Sequence, residues 1–445
     1  AYECVDRHPK EKTAIRLKNS DGSNETYTFG ELSRLTSQFA HMLERRGVNP
    51  GDRVGIILSP SLEYYVSFYG TLKRGAVAVP CYPLLGPEGL GYRIKESNAK
   101  LAIISKGRAD ILCPGLVSEI IHSEQLIGTI EKENEDYETN TSAETLAVIQ
   151  FSSGTTGQPK QVFYNHSAIS VTAVFVKFWL GLQEGDRYIC TSSPAWGHGI
   201  WYGTVGPLIF GTGIGAYSGK LDPEVLLEAF EEFEITVTSN IPRVYKMLMD
   251  CGKIDNYKLK LRRLTYTGAA IEKEVIKYFQ DKLGLYIGST YGNTEAGPIV
   301  LDYAFPDWKP KLGSAGKPML GVKLAILDDD GNVADAYFQV VELRGFEEFC
   351  KGRPVEEMSR LTTRLCGVCP WAHHIASSKT LDAVFKVKPT PVAVKLRELG
   401  YLAHFLHSHI AHFYALGAAP DIIPGPAAKP EMRNVFGAVS YTHLR

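Results

Sequence analysis

Phe151-Ser152-Ser153-Gly154-Thr155-Thr156-Gly157-Gln158-Pro159-Lys160 is a run of hydroxyls and glycines closed by a lysine. Gly154 and Gly157 let the backbone turn tightly, so that successive N–H groups converge on one anion. Ser152, Ser153, Thr155 and Thr156 add hydroxyl donors, and Lys160 adds a full positive charge. The apolar run Leu146 to Phe151 predicts a strand entering the loop, and Ala168 to Leu180 predicts an apolar helix leaving it. Strand, loop and helix in that order form the usual setting of a phosphate cradle. Pro159 stands where a Walker loop has the glycine before its lysine, which excludes that loop type.

Two more segments follow downstream in order, Thr267-Gly268-Ala269-Ala270 and Ser289-Thr290-Tyr291-Gly292-Asn293-Thr294-Glu295-Ala296-Gly297. Together the three resemble the adenylate-forming superfamily of acyl-CoA synthetases, luciferases and peptide-synthetase adenylation domains. The first is similar to its phosphate loop, the second to its adenine-side turn, and the third to its Tyr-Gly-x-Thr-Glu signature. The resemblance begins near Tyr27-Thr28-Phe29-Gly30-Glu31-Leu32, ends near Asp328-Asp329-Asp330-Gly331-Asn332-Val333, and leans toward the acetyl- and medium-chain acyl-CoA synthetase branch. It implies a large α/β N-terminal domain of parallel-rich sheets flanked by helices over 1–333. The alternation of apolar segments agrees: Arg53 to Leu58 reads as a strand, Leu62 to Leu72 as a helix and Ala76 to Pro80 as a strand. Lys95 to Ile104 repeats the helix-to-strand step, and ligands in such folds lie at the strand ends.

The resemblance also implies a chemistry, ATP-dependent activation of a small carboxylic acid to acyl-AMP on the way to acyl-CoA. ATP and Mg²⁺ are the implied cofactors, with coenzyme A as co-substrate. Ser152 to Lys160 would cradle the β and γ phosphates, and Thr294 would donate to the α-phosphate. Glu295 would ligate magnesium, which prefers a carboxylate oxygen beside phosphates and waters. Thr290, Tyr291 and Gly292 would lie along the nucleotide, with the Tyr291 ring on one face of adenine and Gly268, Ala269 and Ala270 on the other. Lys160, Thr294 and Glu295 are thus the expected catalytic residues. In Pro194 to Gly203, Trp196, His198 and Trp201 fit an acyl pocket, although an aromatic stripe of this kind also fits a core. Ser192 and Ser193 stand where members of this branch often have an aspartate.

Basic and acidic residues number 48 and 49, giving a formal net charge of −1. No basic surplus points to nucleic acid or to an anionic membrane. The longest apolar stretch, Val171 to Leu182, is broken by Lys177 and is too short to span a bilayer. The first residues have no signal-peptide layout, and the eight cysteines are scattered apart from Cys366 and Cys369, so a cytoplasmic protein without a disulfide framework is expected. Gly211 to Ala216 imitates a dinucleotide fingerprint, but Gly219 and Pro223 interrupt any helix that should follow. Glu131 to Glu138 is expected to be a solvated loop. His404, His407 and His412 fall on a mostly apolar helix expected over Val392 to Leu416, where buried packing is their expected role.

After Val333 the pattern changes. The ribose-binding aspartate and the mobile lid with its catalytic lysine, both implied by the synthetase resemblance, are not found. Arg364-Leu365-Cys366-Gly367-Val368-Cys369, with His373 beyond, instead resembles the first cysteine motif of the nickel–iron hydrogenase large chain, and the likeness runs to about Phe436. It implies nickel on Cys366, a nickel–iron bridge on Cys369, Glu347 near the centre, and the hydrogenase small subunit for a partner. That centre needs four thiolates, and the other six cysteines form no second Cys-x-x-Cys. The site is therefore half built and is expected to stay empty. Val-Ser-Tyr-Thr-His-Leu-Arg at the end resembles a translated sequencing adapter; 437–445 is read as a non-native tail, and both ends as truncations. The chain reads as a synthetase fragment over 1–333 joined, without a linker, to a hydrogenase fragment over 334–436. Three functions compete: a ligase without full turnover, a hydrogenase fragment, and a non-functional chimera. Residues 334–445, cut off from the rest of a hydrogenase, are expected to fold poorly.

Overall fold

A computed structural model of the chain describes residues 1–19, 21–152, 158–308, 310–311, 313–327, 333–338, 350–364 and 369–411. The chain divides into two units, Ala1–Val340 and Val341–Arg445.

The first unit is built on two large sheets. Along the nine-stranded sheet the order is Lys317–Pro318, Gly297–Leu301, Ile287–Asn293, Arg263–Tyr266, Val237–Asn240, Tyr188–Cys190, Ile214–Ser218, Thr13–Asn19 and Asn24–Thr28. Its six central strands are mutually parallel, and the outer ones turn back antiparallel. The six-stranded sheet runs Glu119–His122, Ala99–Ile104, Arg53–Ile57, Val77–Pro80, Leu146–Ser152 and Lys160–Asn165, parallel except for the last pair. Strands such as Val77–Pro80 are buried along their whole length, as expected where helices cover both faces of a parallel sheet. The α/β architecture expected from the sequence is the one observed.

Local chemistry sets the helix boundaries. Thr28 opens the Phe29–Arg45 helix with a capping box: its hydroxyl accepts from Glu31 N at 3.2 Å, and the Glu31 carboxylate accepts from Thr28 N at 2.8 Å. Ser61 caps Leu62–Lys73, and Asp222 caps Pro223–Glu232, whose proline occupies the first turn without loss of a hydrogen bond. Lys73 ends the second of these helices almost fully buried, yet its ammonium is satisfied by Asp6 at 2.6 Å, Ser33 O at 3.0 Å and Ser37 Oγ at 3.0 Å. The acidic segment after Glu131 is not merely solvated. Arg45 Nε donates to Glu133 at 2.8 Å, and Gln38 Nε2 to the carbonyls of Glu131 and Glu133, so the loop is fastened to the first long helix.

Two expectations need correction. A strand, Lys160–Asn165, intervenes between the hydroxyl-rich loop and the helix Ala168–Phe175, so the loop joins two antiparallel strands. In the second unit the described helices are Met358–Thr362, Pro370–Val384 and Pro391–Ala411. The last of these exposes most of its apolar side chains: Val392, Leu396, Leu399 and Leu406 are each more than 60% exposed. The face turned inward instead holds Gly400, pressed on Trp371, and Arg397, paired with Asp382. His407 is exposed and His404 half-buried, so the histidines do not serve as core packing; His412 lies outside the described residues. Among the described residues no helix is long and apolar enough to cross a membrane.

Candidate active site

The carboxyl ends of the central strands of the nine-stranded sheet gather the candidate residues. Arg263–Tyr266 leads into Thr267 to Ala270, Ile287–Asn293 into Thr294 and Glu295, and Tyr188–Cys190 into Thr191 to Trp196. These turns are tied together. Thr267 Oγ1 donates to Thr290 O at 3.1 Å, and Thr191 Oγ1 to Asn240 Oδ1 at 2.7 Å. Gly268 has φ +97°, a left-handed conformation that glycine adopts without strain, and a Cβ there would sit 2.8 Å from Trp196 Cη2. Gly268, Ala269, Ala270 and Tyr291 are exposed, the tyrosine ring at 63%.

Thr294 and Glu295 occupy the tip of a hairpin between Ile287–Asn293 and Gly297–Leu301. Asn293 Oδ1 accepts from Ala296 N at 2.7 Å and closes the turn, while Gly297 takes φ +71°. A side chain at Gly292 would overlap the carbonyl of Gly297, so this irregularity in the ladder needs glycine. Glu295 is exposed, with hard carboxylate oxygens of the kind magnesium takes beside phosphate.

The second sheet meets this hairpin through the strands flanking the hydroxyl-rich loop. Ser152 is buried and its Oγ has no hydrogen-bond partner among the described residues; Lys160, opposite it in the ladder, is exposed. Ser153, Gly154, Thr155, Thr156 and Gly157 lie outside the described residues, as do Glu347 and Cys366. A strand and not a helix directly follows the loop, beginning at Lys160. Tyr164, four residues past the lysine, donates its hydroxyl to Thr294 O, and its ring lies 4.8 Å from that of Trp201. Trp201 Nε1 in turn donates to Gln150 Oε1 at 3.0 Å. One relay, Gln150–Trp201–Tyr164–Thr294, therefore links the lysine hairpin to the threonine–glutamate hairpin. Sequence reading missed Tyr164 and Gln150; the available signal was the β-rich run Val162-Phe163-Tyr164.

Of the three aromatic-segment residues, Trp196 is 40% exposed beside Gly268, whereas Trp201 and His198 are buried. The two nitrogens of His198 lie 2.7 Å from Ser192 Oγ and 2.8 Å from Ser239 Oγ, and burial pushes its pKa down to about 3. A neutral imidazole satisfies both hydroxyls, donating through one nitrogen and accepting through the other. Burial also holds His166, next to the Lys160–Asn165 strand, down at about 4. In the second unit Cys369 is half-buried at the start of the Pro370–Val384 helix. Among the described residues no three His, Cys, Asp or Glu side chains converge on a metal position.

Residues 2–336 match the family model of AMP-binding enzymes. The chain belongs to that family. It is 29% identical over 360 residues to acetyl-coenzyme A synthetase of Bacillus subtilis (strain 168), covering 76% of this chain and 62% of that enzyme. Its fold is similar to that of an acyl-CoA synthetase from Brucella canis, with TM-score 0.69, 25% identity, and coverage of 75% of this chain and 64% of that one. The chain thus spans less than two thirds of the length of either of these synthetases. Residues 344–424 match a different model, nickel-dependent hydrogenase. Over 118 residues, 26% of this chain, the sequence is 50% identical to an F420-non-reducing hydrogenase iron-sulfur subunit of Archaeoglobus profundus, but covers only 24% of that protein. A segment of the AMP-binding family is followed in the same polypeptide by a segment similar to nickel-dependent hydrogenases.

Proposed function

We propose that the first unit binds Mg²⁺·ATP and a small carboxylic acid and carries out adenylation, the first half of acyl-CoA synthesis. A carboxylate oxygen attacks the α-phosphorus, the bond to the bridging β-oxygen breaks, and pyrophosphate leaves with its electron pair. Thr294 donates to the α-phosphate and Lys160, with the hydroxyl-rich loop, holds the β and γ phosphates. Glu295 holds magnesium, which offsets the charge concentrated on the phosphoryl oxygens. Tyr291 and Gly268 to Ala270 bracket the adenine. Trp196 stands at the acyl side, with His198 and Trp201 supporting it from beneath.

The observation that supports this reading is the bond from Tyr164, on the strand that begins at Lys160, to the backbone of Thr294, which ties the lysine-bearing hairpin to the threonine–glutamate hairpin. Full ligase turnover is expected to be absent, because the lid lysine and the ribose-binding aspartate implied by the synthetase resemblance are not found in the sequence. Loss of one transition-state donor costs about 10²–10³ in rate.

We read residues 334–436 as a partial hydrogenase large-chain segment with two of four thiolates, contributing no metal chemistry, and the join near residue 334 as a junction of two coding segments. Amplifying the source DNA across the codons for 320–350 tests the junction; a single continuous product would establish a gene-level fusion. Calorimetric titration of the purified chain with Mg²⁺·ATP, and separately with Ni²⁺, tests the function. Saturable ATP binding that weakens about tenfold or more in Lys160→Ala is expected. Stoichiometric nickel binding without ATP binding would overturn the assignment.

A further inference from the structure

The amino ends of the same parallel strands border a second concavity, a cleft of about 480 Å³ well away in the fold from the carboxyl-end turns of the candidate active site. It is formed by the start of the Thr13–Asn19 strand and by the turns before Tyr188–Cys190 and Ile214–Ser218. Four cations line it: Lys12, Arg16, Lys177 and Arg187. Arg187 pairs with Glu234, which also pairs with Lys260, and the lining Asp186 is taken by Arg262 at 2.7 Å. The side chains of Lys12, Arg16 and Lys177 have no hydrogen bond or ion pair among the described residues; Glu184 also lines the cleft, and Glu234, already held by Arg187 and Lys260, partly offsets the charge at Arg16.

Arg16 is the informative member. It is half-buried, and burial, followed by the neighbouring Arg187 guanidinium, lowers its pKa. A guanidinium taken partly out of water beside another cation, without its own carboxylate, is an unfavourable arrangement unless an anion joins it. The planar fork of arginine matches the oxygens of phosphate, and Lys12 and Lys177 add mobile charge at the rim. Phe210, 42% exposed, supplies an aromatic wall. The volume lies within the range of small-molecule sites.

We propose that this cleft is a second anion site, separate from the adenylation site, that binds a small phosphate-bearing molecule through Arg16, Lys12 and Lys177. Lysine acetylation footprinting of the full chain tests it, with inorganic pyrophosphate or AMP as the probe and sodium chloride at matched ionic strength as the control. Pyrophosphate alone should protect if the site reads only the phosphate group. Stronger protection by AMP would mean that Phe210 also contacts a base.

Protection of Lys12 and Lys177 by either probe, but not by salt, is expected. In Arg16→Gln the half-protecting concentration should rise roughly tenfold, corresponding to one lost charge-assisted contact. The exposed-site variant Lys177→Gln, which has no folding role, should weaken protection at Lys12. Lys160 labels separately, so failure of the active-site reading shows there and leaves this result intact. Equal labelling with and without both probes, equal protection by salt, or full protection retained in Arg16→Gln would overturn the proposal.

Discussion

Tyr164 is the residue whose removal separates position from chemistry most cleanly. Its hydroxyl holds the backbone of Thr294 without being placed against substrate, so Tyr164→Phe should leave the fold intact and loosen the hairpin tip. Amide exchange across Thr294 to Gly297 should accelerate, and Mg²⁺·ATP affinity should fall up to about tenfold, as for one lost neutral hydrogen bond. Unchanged exchange and affinity would show that the bond is incidental. His166 and His198 make a second residue-scale prediction. Both have folded pKa values below the unfolded 6.5, so the unfolded chain takes up protons that the folded chain refuses. The stability tied to their neutral forms is present above pH 6.5 and is lost as pH falls toward 4 and then 3. The slope is at most about 1.4 kcal/mol per pH unit for each histidine. Denaturant midpoints of His166→Gln should depend less steeply on pH over this window than those of the parent chain; an identical dependence would contradict the assignment.

At the level of elements, the two hairpins carry the argument, and they were unequally legible in the sequence. Leu146 to Phe151 announced its strand by an apolar run interrupted only at Gln150, and the Tyr-Gly-x-Thr-Glu segment announced its turn by motif. The Lys160–Asn165 strand went unread because its exposure pattern is irregular and the motif ends at the lysine, hiding the switch from loop back to ladder. Nor could a motif reveal the relay through Gln150 and Trp201, since residues far apart in sequence meet only once the sheets are assembled. His404 and His407 misled for the converse reason: apolar neighbours signal burial only when a core exists to receive them. The Gly292 irregularity gives the element-scale prediction. Gly292→Ala forces the side chain into the Gly297 carbonyl and should cost about 1–3 kcal/mol, with loss of ATP binding. Thermal unfolding and calorimetry on the same sample read both effects, and a variant of parental stability and affinity would refute the close approach.

For the whole molecule, the two units have different physical standing. Ala1–Val340 buries large aromatic side chains such as Trp179, Tyr64 and Phe68 in extensive cores, ample for cooperative folding. In Val341–Arg445, Ile375 is the buried apolar side chain among the described residues, while leucines, valines and Phe405 along Pro391–Ala411 face solvent. Apolar surface exposed on that scale drives association. Residues 1–340 expressed alone should unfold in one sharp transition and stay monomeric in sedimentation, whereas the full chain should self-associate and 341–445 alone should show no cooperative transition. A sharp transition in the isolated 341–445 segment would show that it possesses a core of its own. In the sequence the expected join near residue 334 rested on motifs, since the synthetase pattern stops and an incomplete cysteine motif begins within a few tens of residues.

The central claim is that this chain retains the adenylation site of a synthetase but not full ligase turnover. Its most direct test is exchange of labelled pyrophosphate into ATP by the full chain, measured across short, branched, medium-chain and aryl carboxylic acids. The account predicts exchange that requires both Mg²⁺ and one class of acid, falls by about 10²-fold or more in Lys160→Ala, and is not accompanied by acyl-CoA when coenzyme A is added. A folded protein that exchanges with none of these acids, or one that makes acyl-CoA at every turnover, would contradict it.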